Sequence, residues 1–167
     1  ALQEPQLRER IINEMPNDGG LFQKVILDNA SHMFPVMTAN IDYEPLPSAS
    51  ATAIAQSTNK KVMEILLDQL VANDGHGLIY MPFFNYAYGD LSFNYEAQQH
   101  PGTRMGLSDA GAHCGAICDG GTPTFMLTHW VRDRTRGEKL PLELIVHRQT
   151  QQTAALYGLN DRGLIAA

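Results

Sequence analysis

From Leu78 to Tyr86 the chain reads LIYMPFFNY, a run with one polar amide, Asn85, near its end. A strand with one wet face alternates apolar and polar residues; this run does not. It fits a strand covered on both faces, as in parallel sheets packed between helices. Pro82 donates no backbone hydrogen bond and marks the approach to the strand's end.

The segments around it repeat the same theme. LFQKVILDNA (Leu21 to Ala30) has the length and apolar density of a second buried strand. Between the two, KVMEILLDQLVA (Lys61 to Ala72) repeats Val62, Ile65, Leu66, Gln69 and Leu70 at helical spacing, and NDGHG stops it. Ser48 or Ser50 is placed to cap a short helix running to about Gln56. FPVMTANIDYEPLP reads as an irregular, proline-punctuated connection. At the start, Leu7, Ile11, Ile12 and Met15 share one helical face until Pro16 and NDGG end it.

After Tyr86 a helix is expected over Leu91 to Gln99, closed by His100-Pro101-Gly102. TRMGLSD then gives a short strand ending at Asp109. Pro123 suits the first turn of a helix reaching about Arg134, and Pro141 opens another that ends at Gly158. Strand and helix thus alternate, which argues for one α/β unit over residues 1–167 built of parallel βα pieces. Three strands do not close an eight-stranded barrel, which takes about 250 residues.

Charge and composition exclude some classes. The net charge of −6 argues against sequence-independent nucleic-acid binding, which needs a basic stripe. No apolar run is long enough to span a bilayer as a helix. Two cysteines, Cys114 and Cys118, are too few for a disulfide framework, so a reduced, cytoplasmic setting is expected.

The sharpest candidate for chemistry is Asp109, in GLSDAGAH (Gly106 to His113). In parallel α/β folds the loops at the carboxyl ends of strands form the ligand crevice. Gly106, Ala110, Gly111 and Ala112 leave room for a close backbone approach there. An acid so placed can ligate a divalent metal, or take a proton from metal-bound water. The competing reading is an Asx turn or a helix cap. His113 is placed to ligate, to orient substrate or to shuttle a proton, or is simply a half-exposed loop histidine. In HCGAICD the small apolar neighbours favour buried structural thiols over zinc ligands. FFNYAYGD offers Asn85 or Tyr86 as pocket-lining groups, or as aromatic core. No H-x-H, H-E-x-x-H, P-loop or G-x-S-x-G pattern occurs.

FNYAYGD, then HPGTRMGLSDAGAHCGAICDGGTPTFMLTHWVRDR, then LPLELIVHRQTQQTAALYGLNDRGLI resembles the C-terminal part of the metal-dependent amidohydrolases. The branch it looks most like is the D-aminoacylase, or N-acyl-D-amino-acid deacylase, group. The resemblance is close from about Leu78 to Ile165 and looser but collinear from Leu21 to Asn73. It implies a partial (β/α)8 barrel, with LIYMPFFN as strand seven and TRMGLSD as strand eight. It makes Asp109 the eighth-strand acid: zinc ligand, general base on the bound water, then proton donor to the leaving nitrogen. Asn85 and His113 become substrate-binding positions, and the substrate a small N-acyl amino acid. The family's H-x-H pair, mid-barrel ligands and small β-domain have no counterpart here, so the chain reads as a fragment, inactive and without zinc on its own. The alternative is a non-catalytic α/β module. Open strand edges and an uncovered apolar face then predict a homo-oligomer.

Overall fold

The computed structural model describes residues 2–14, 28–36, 41–82, 84–106, 108 and 120–166. They gather into two compact units, Ala1–Leu91 and Ser92–Ala167.

In the first unit, α1 (Pro5–Asn13) starts with proline in its first turn, where the missing N–H costs nothing. α2 (Ala51–Thr58) is capped by Ser50, whose Oγ accepts the Ala53 N–H at 3.2 Å. Of the two serines expected to cap, Ser50 is the one that does so. α2 buries Ala51 and Ala55, one turn apart, and these small residues let α3 (Val62–Gly75) pack closely. The core they form with Met33, Ile65 and Leu66 is extended by Ile54, Val62, Met63, Ile79 and Met81. The expected stripe on α3 is shifted: Leu67 is buried with Ile65 and Leu66, while Leu70 is exposed. Helical geometry stops at Ala72, and Asn73 and Asp74 turn left-handed (φ 51° and 58°).

Strand β1 (Phe34–Val36) lies in the segment expected to be irregular. Its partner β2 (Leu78–Tyr80) is the start of the LIYMPFFNY run. They pair antiparallel, with Phe34 opposite Tyr80, Pro35 opposite Ile79 and Val36 opposite Leu78. Pro35 is tolerated because both strands of a two-stranded sheet are edges. The expectation of a long strand buried on both faces is not met in the described part. Leu78 and Phe84 are exposed, and β2 ends before Pro82. A parallel strand pair does not occur among the described residues; residues 21–27 of the earlier expected strand lie outside them.

At the far end of the sheet, Gln69 Nε2 donates to Val36 O at 2.7 Å and to Leu78 O at 3.0 Å. Gly77 sits directly against this turn of α3. A Cβ there would fall 1.6 Å from Gln69 O, so no side chain fits.

In the second unit, α4 (Ser92–Gln99) matches the expected helix. α5 (Thr122–Phe125) runs on as a wide π-type helix over Met126–Asp133. At its end the Arg134 N–H donates to His129 O, five residues back, at 2.8 Å. α6 (Leu142–His147) continues through a second π-type stretch, Arg148–Gln152, into α7 (Thr153–Leu156). Met126, Trp130, Leu140, Ile145 and Ala154 are buried here. The Arg134 guanidinium lies over the Trp130 and Tyr95 rings, 4.9 and 5.3 Å from their centroids, and donates to Glu138 O at 2.7 Å. Buried His129 stacks on Phe125 at 4.9 Å and meets Trp130 edge-on, so it packs among these rings.

Candidate functional site

Asp109 and His113 lie outside the described residues, as does the HCGAICD segment. Thr103 to Gly106 and Ser108, the described part of the expected eighth strand, carry no strand. The approach to that segment is fixed by a buried cation. Arg148, 1% exposed, donates through Nη1 to Thr103 O at 2.9 Å and through Nη2 to His100 O at 3.1 Å. Burial, and then the charge of Arg104, push its pKa below the ordinary guanidinium value. It stays charged, because arginine is not deprotonated in proteins.

Asn85 is described, and it lines a cavity of about 430 Å³ in the first unit. Its backbone is left-handed, at φ 61°. Met81, Pro82, Phe84 and Ala87 supply the apolar wall, and His32 with Asn29 the polar one. The two walls meet because β1–β2 pairing brings the turn before β1 beside the segment after β2. His32 is half-buried, and its Nδ1 lies 3.3 Å from the Ser31 hydroxyl. Tyr86 also lines the cavity. Its ring is buried edge-on to Phe34 at 6.3 Å, and its hydroxyl donates to Pro45 O at 2.8 Å. Tyr86 is therefore both core and pocket wall, the two readings its sequence position allowed.

The backing of this segment is polar but satisfied. Buried Glu44 accepts the Leu91 N–H on Oε1 at 2.8 Å, and the Glu44 N–H donates to Asp42 Oδ1 at 2.8 Å. Tyr80 donates to Tyr43 O at 3.2 Å. Burial, then the neighbouring Tyr86 and Tyr43, push the Tyr80 phenol up to about 12, so it serves as a donor and not as a base.

Among the described residues no three His, Cys, Asp or Glu side chains group to hold a metal ion. No helix among them is long and apolar enough to cross a membrane. Asn29, His32 and Arg148 were not singled out from sequence. Asn29 and His32 lie far along the chain from Asn85, and only strand pairing joins them. Arg148 sits in a polar helical stretch, HRQTQQ, that reads as solvent-facing.

Comparison of the chain with protein-family models, with curated proteins and with solved structures finds no match in any of the three.

Proposed function

We propose that the chain carries part of a metal-dependent hydrolase that cleaves the amide bond of N-acyl amino acids. The reading rests on one observation, the joint presence of GLSDAGAH and the downstream series Thr150, Ala154, Gly158-Leu159, Asp161-Arg162-Gly163 and Ile165. In this reading Asp109 is metal ligand and general base, and Asn85 and His113 contact a small N-acyl amino acid. The barrel of which this chain forms a part supplies the remaining ligands, since a catalytic zinc takes about three from protein. By itself the chain is then inactive. The scarcity of cysteine fits a reduced cytoplasmic setting.

The test is turnover of N-acyl-D-amino acids by the intact enzyme and by its Asp109→Asn variant, with bound zinc measured in both. Loss of a general base is expected to lower turnover on the order of 10²–10⁴-fold. Unchanged turnover removes Asp109 from the reaction.

A second reading, a non-catalytic module that self-associates, is favoured by Leu142, Val146, Leu164 and Ile165. All four are exposed along one apolar groove of the second unit. Light scattering over a concentration series tests it, and a monomer at every concentration argues against it.

A further inference from the structure

We propose that the cavity beside Asn85 binds an uncharged amide carrying an aromatic or branched aliphatic group. The inference uses neither Asp109 nor a metal, and it departs from the hydrolase reading at Asn85: that reading gives Asn85 an N-acyl amino acid with its carboxylate, whereas here it takes the uncharged amide.

Size and lining come first. A volume of about 430 Å³ lies within the usual range of small-molecule sites, roughly 300–1,000 Å³. No Asp, Glu, Lys or Arg is among the described residues that line it. With the His32 imidazole neutral, a charged group entering would shed water without gaining a counter-charge from these residues, which is costly. The described lining therefore favours a neutral entering group.

The wall is apolar and partly aromatic. Phe84, 80% exposed, is one of its aromatic lining residues. Tyr86, another, is fixed by its hydroxyl bond and its contact with Phe34. A lining with one fixed and one exposed aromatic ring favours a flat or branched apolar group.

Asn85 supplies the specificity. Its left-handed backbone, φ 61°, is one that glycine adopts without strain. What asparagine adds over glycine at this point is the carboxamide. A carboxamide offers both a donor and an acceptor, and His32, whose Nδ1 lies by the Ser31 hydroxyl, has Nε2 left to offer one or the other to the same cavity. An amide N–H and C=O match the carboxamide, whereas an ether or a hydrocarbon leaves it unused.

The experiment uses the 167-residue chain and two probes, N-acetylphenylalanine amide and N-acetylphenylalanine with its free carboxylate. Binding is followed by saturation-transfer NMR and titration calorimetry. The amide is expected to bind saturably near or below about 1 mM, the weak end of specific binding, and the carboxylate about tenfold more weakly. Asn85→Gly keeps the backbone and is expected to weaken amide binding about tenfold, with an unchanged or raised unfolding midpoint. Ala87→Trp, at an exposed wall position, fills the cavity and should abolish binding. Asp109→Asn should leave binding as it was, which separates this site from the proposed metal chemistry. The proposal is overturned if the amide does not bind, if both probes bind equally, or if both cavity variants bind like the parent chain.

Discussion

Arg148 offers a demanding test of how the second unit holds together. Replacing it with methionine keeps the apolar stem and deletes the guanidinium. Two half-buried carbonyls, His100 O and Thr103 O, then lose the guanidinium at 3.1 and 2.9 Å, and each keeps one other donor, the Thr103 N–H and Arg104 Nη1. Each hydrogen bond from a charged donor contributes about 1.5–3 kcal/mol. Against this, Arg148→Met removes a nearly inaccessible cation that has no ion pair among the described residues, and relieving such burial returns a few kcal/mol. The balance is a net loss of about 2 kcal/mol, or about 30-fold in the folding equilibrium of that unit. Arg148→Lys should be no better than Arg148→Met. It retains the buried charge, but an ammonium lacks the planar fork that reaches two carbonyls at once. Trp130, the single tryptophan, is buried in the same unit, so its fluorescence during urea denaturation reads the loss directly. Amide exchange at Thr103, whose N–H donates to His100 O at 3.0 Å, should quicken in both variants. If Arg148→Met unfolds within about 0.5 kcal/mol of the parent, the spread of neutral surface changes, the guanidinium is not what fixes this loop.

Two further outcomes follow from the first unit. Ser50→Ala should cost about 1 kcal/mol by orphaning the Ala53 N–H, and Ser50→Gly only a few tenths, measured by circular dichroism during denaturation. Burial alone would raise the Asp68 pKa, but hydrogen bonds from Lys60, at 3.1 Å, and from Arg8 outweigh it and hold the carboxyl below its ordinary 3.8. A depressed folded pKa means that this contribution is present above pH 3.8 and is lost as pH falls through the lower, folded value. With the Asp68 side chain 40% exposed the effect is small. It should vanish in Asp68→Asn, whose stability then changes less with acid than the parent's.

What could be read in advance was whatever is written locally. The helices over Val62–Gly75, Ser92–Gln99 and the stretch after Pro141 announce themselves by periodicity, proline and glycine. Residue type announces a serine cap there but leaves Ser48 and Ser50 open, and the structure shows Ser50. What escaped depends on pairing across the chain. Phe34–Val36 looked irregular because Pro35 interrupts it, and only its meeting with Leu78–Tyr80 makes it a strand. LIYMPFFNY suggested a fully covered strand because composition does not say where covering elements end, and Phe84 turns outward after Pro82. The π-type stretches over Met126–Asp133 and Arg148–Gln152 carry no sequence signal that we recognise. Of the three candidate site residues, Asn85 is described and lines a cavity, though five residues past the end of β2 and not at a strand's end; Asp109 and His113 lie outside the described residues. The polar residues that share its cavity come from a segment that no spacing rule linked to it.

The pair of hydrogen bonds that Gln69 Nε2 donates to Val36 O and Leu78 O ties the sheet's fate to that of the helix. Two three-residue strands have no independent stability in water. They persist only while α3 is wound, and α3 in turn leans on Ile79 through the shared core. Helix and ribbon therefore open as a single cooperative unit, and the amide of Ile79 should exchange at the rate of the helix it serves and not of a fraying edge.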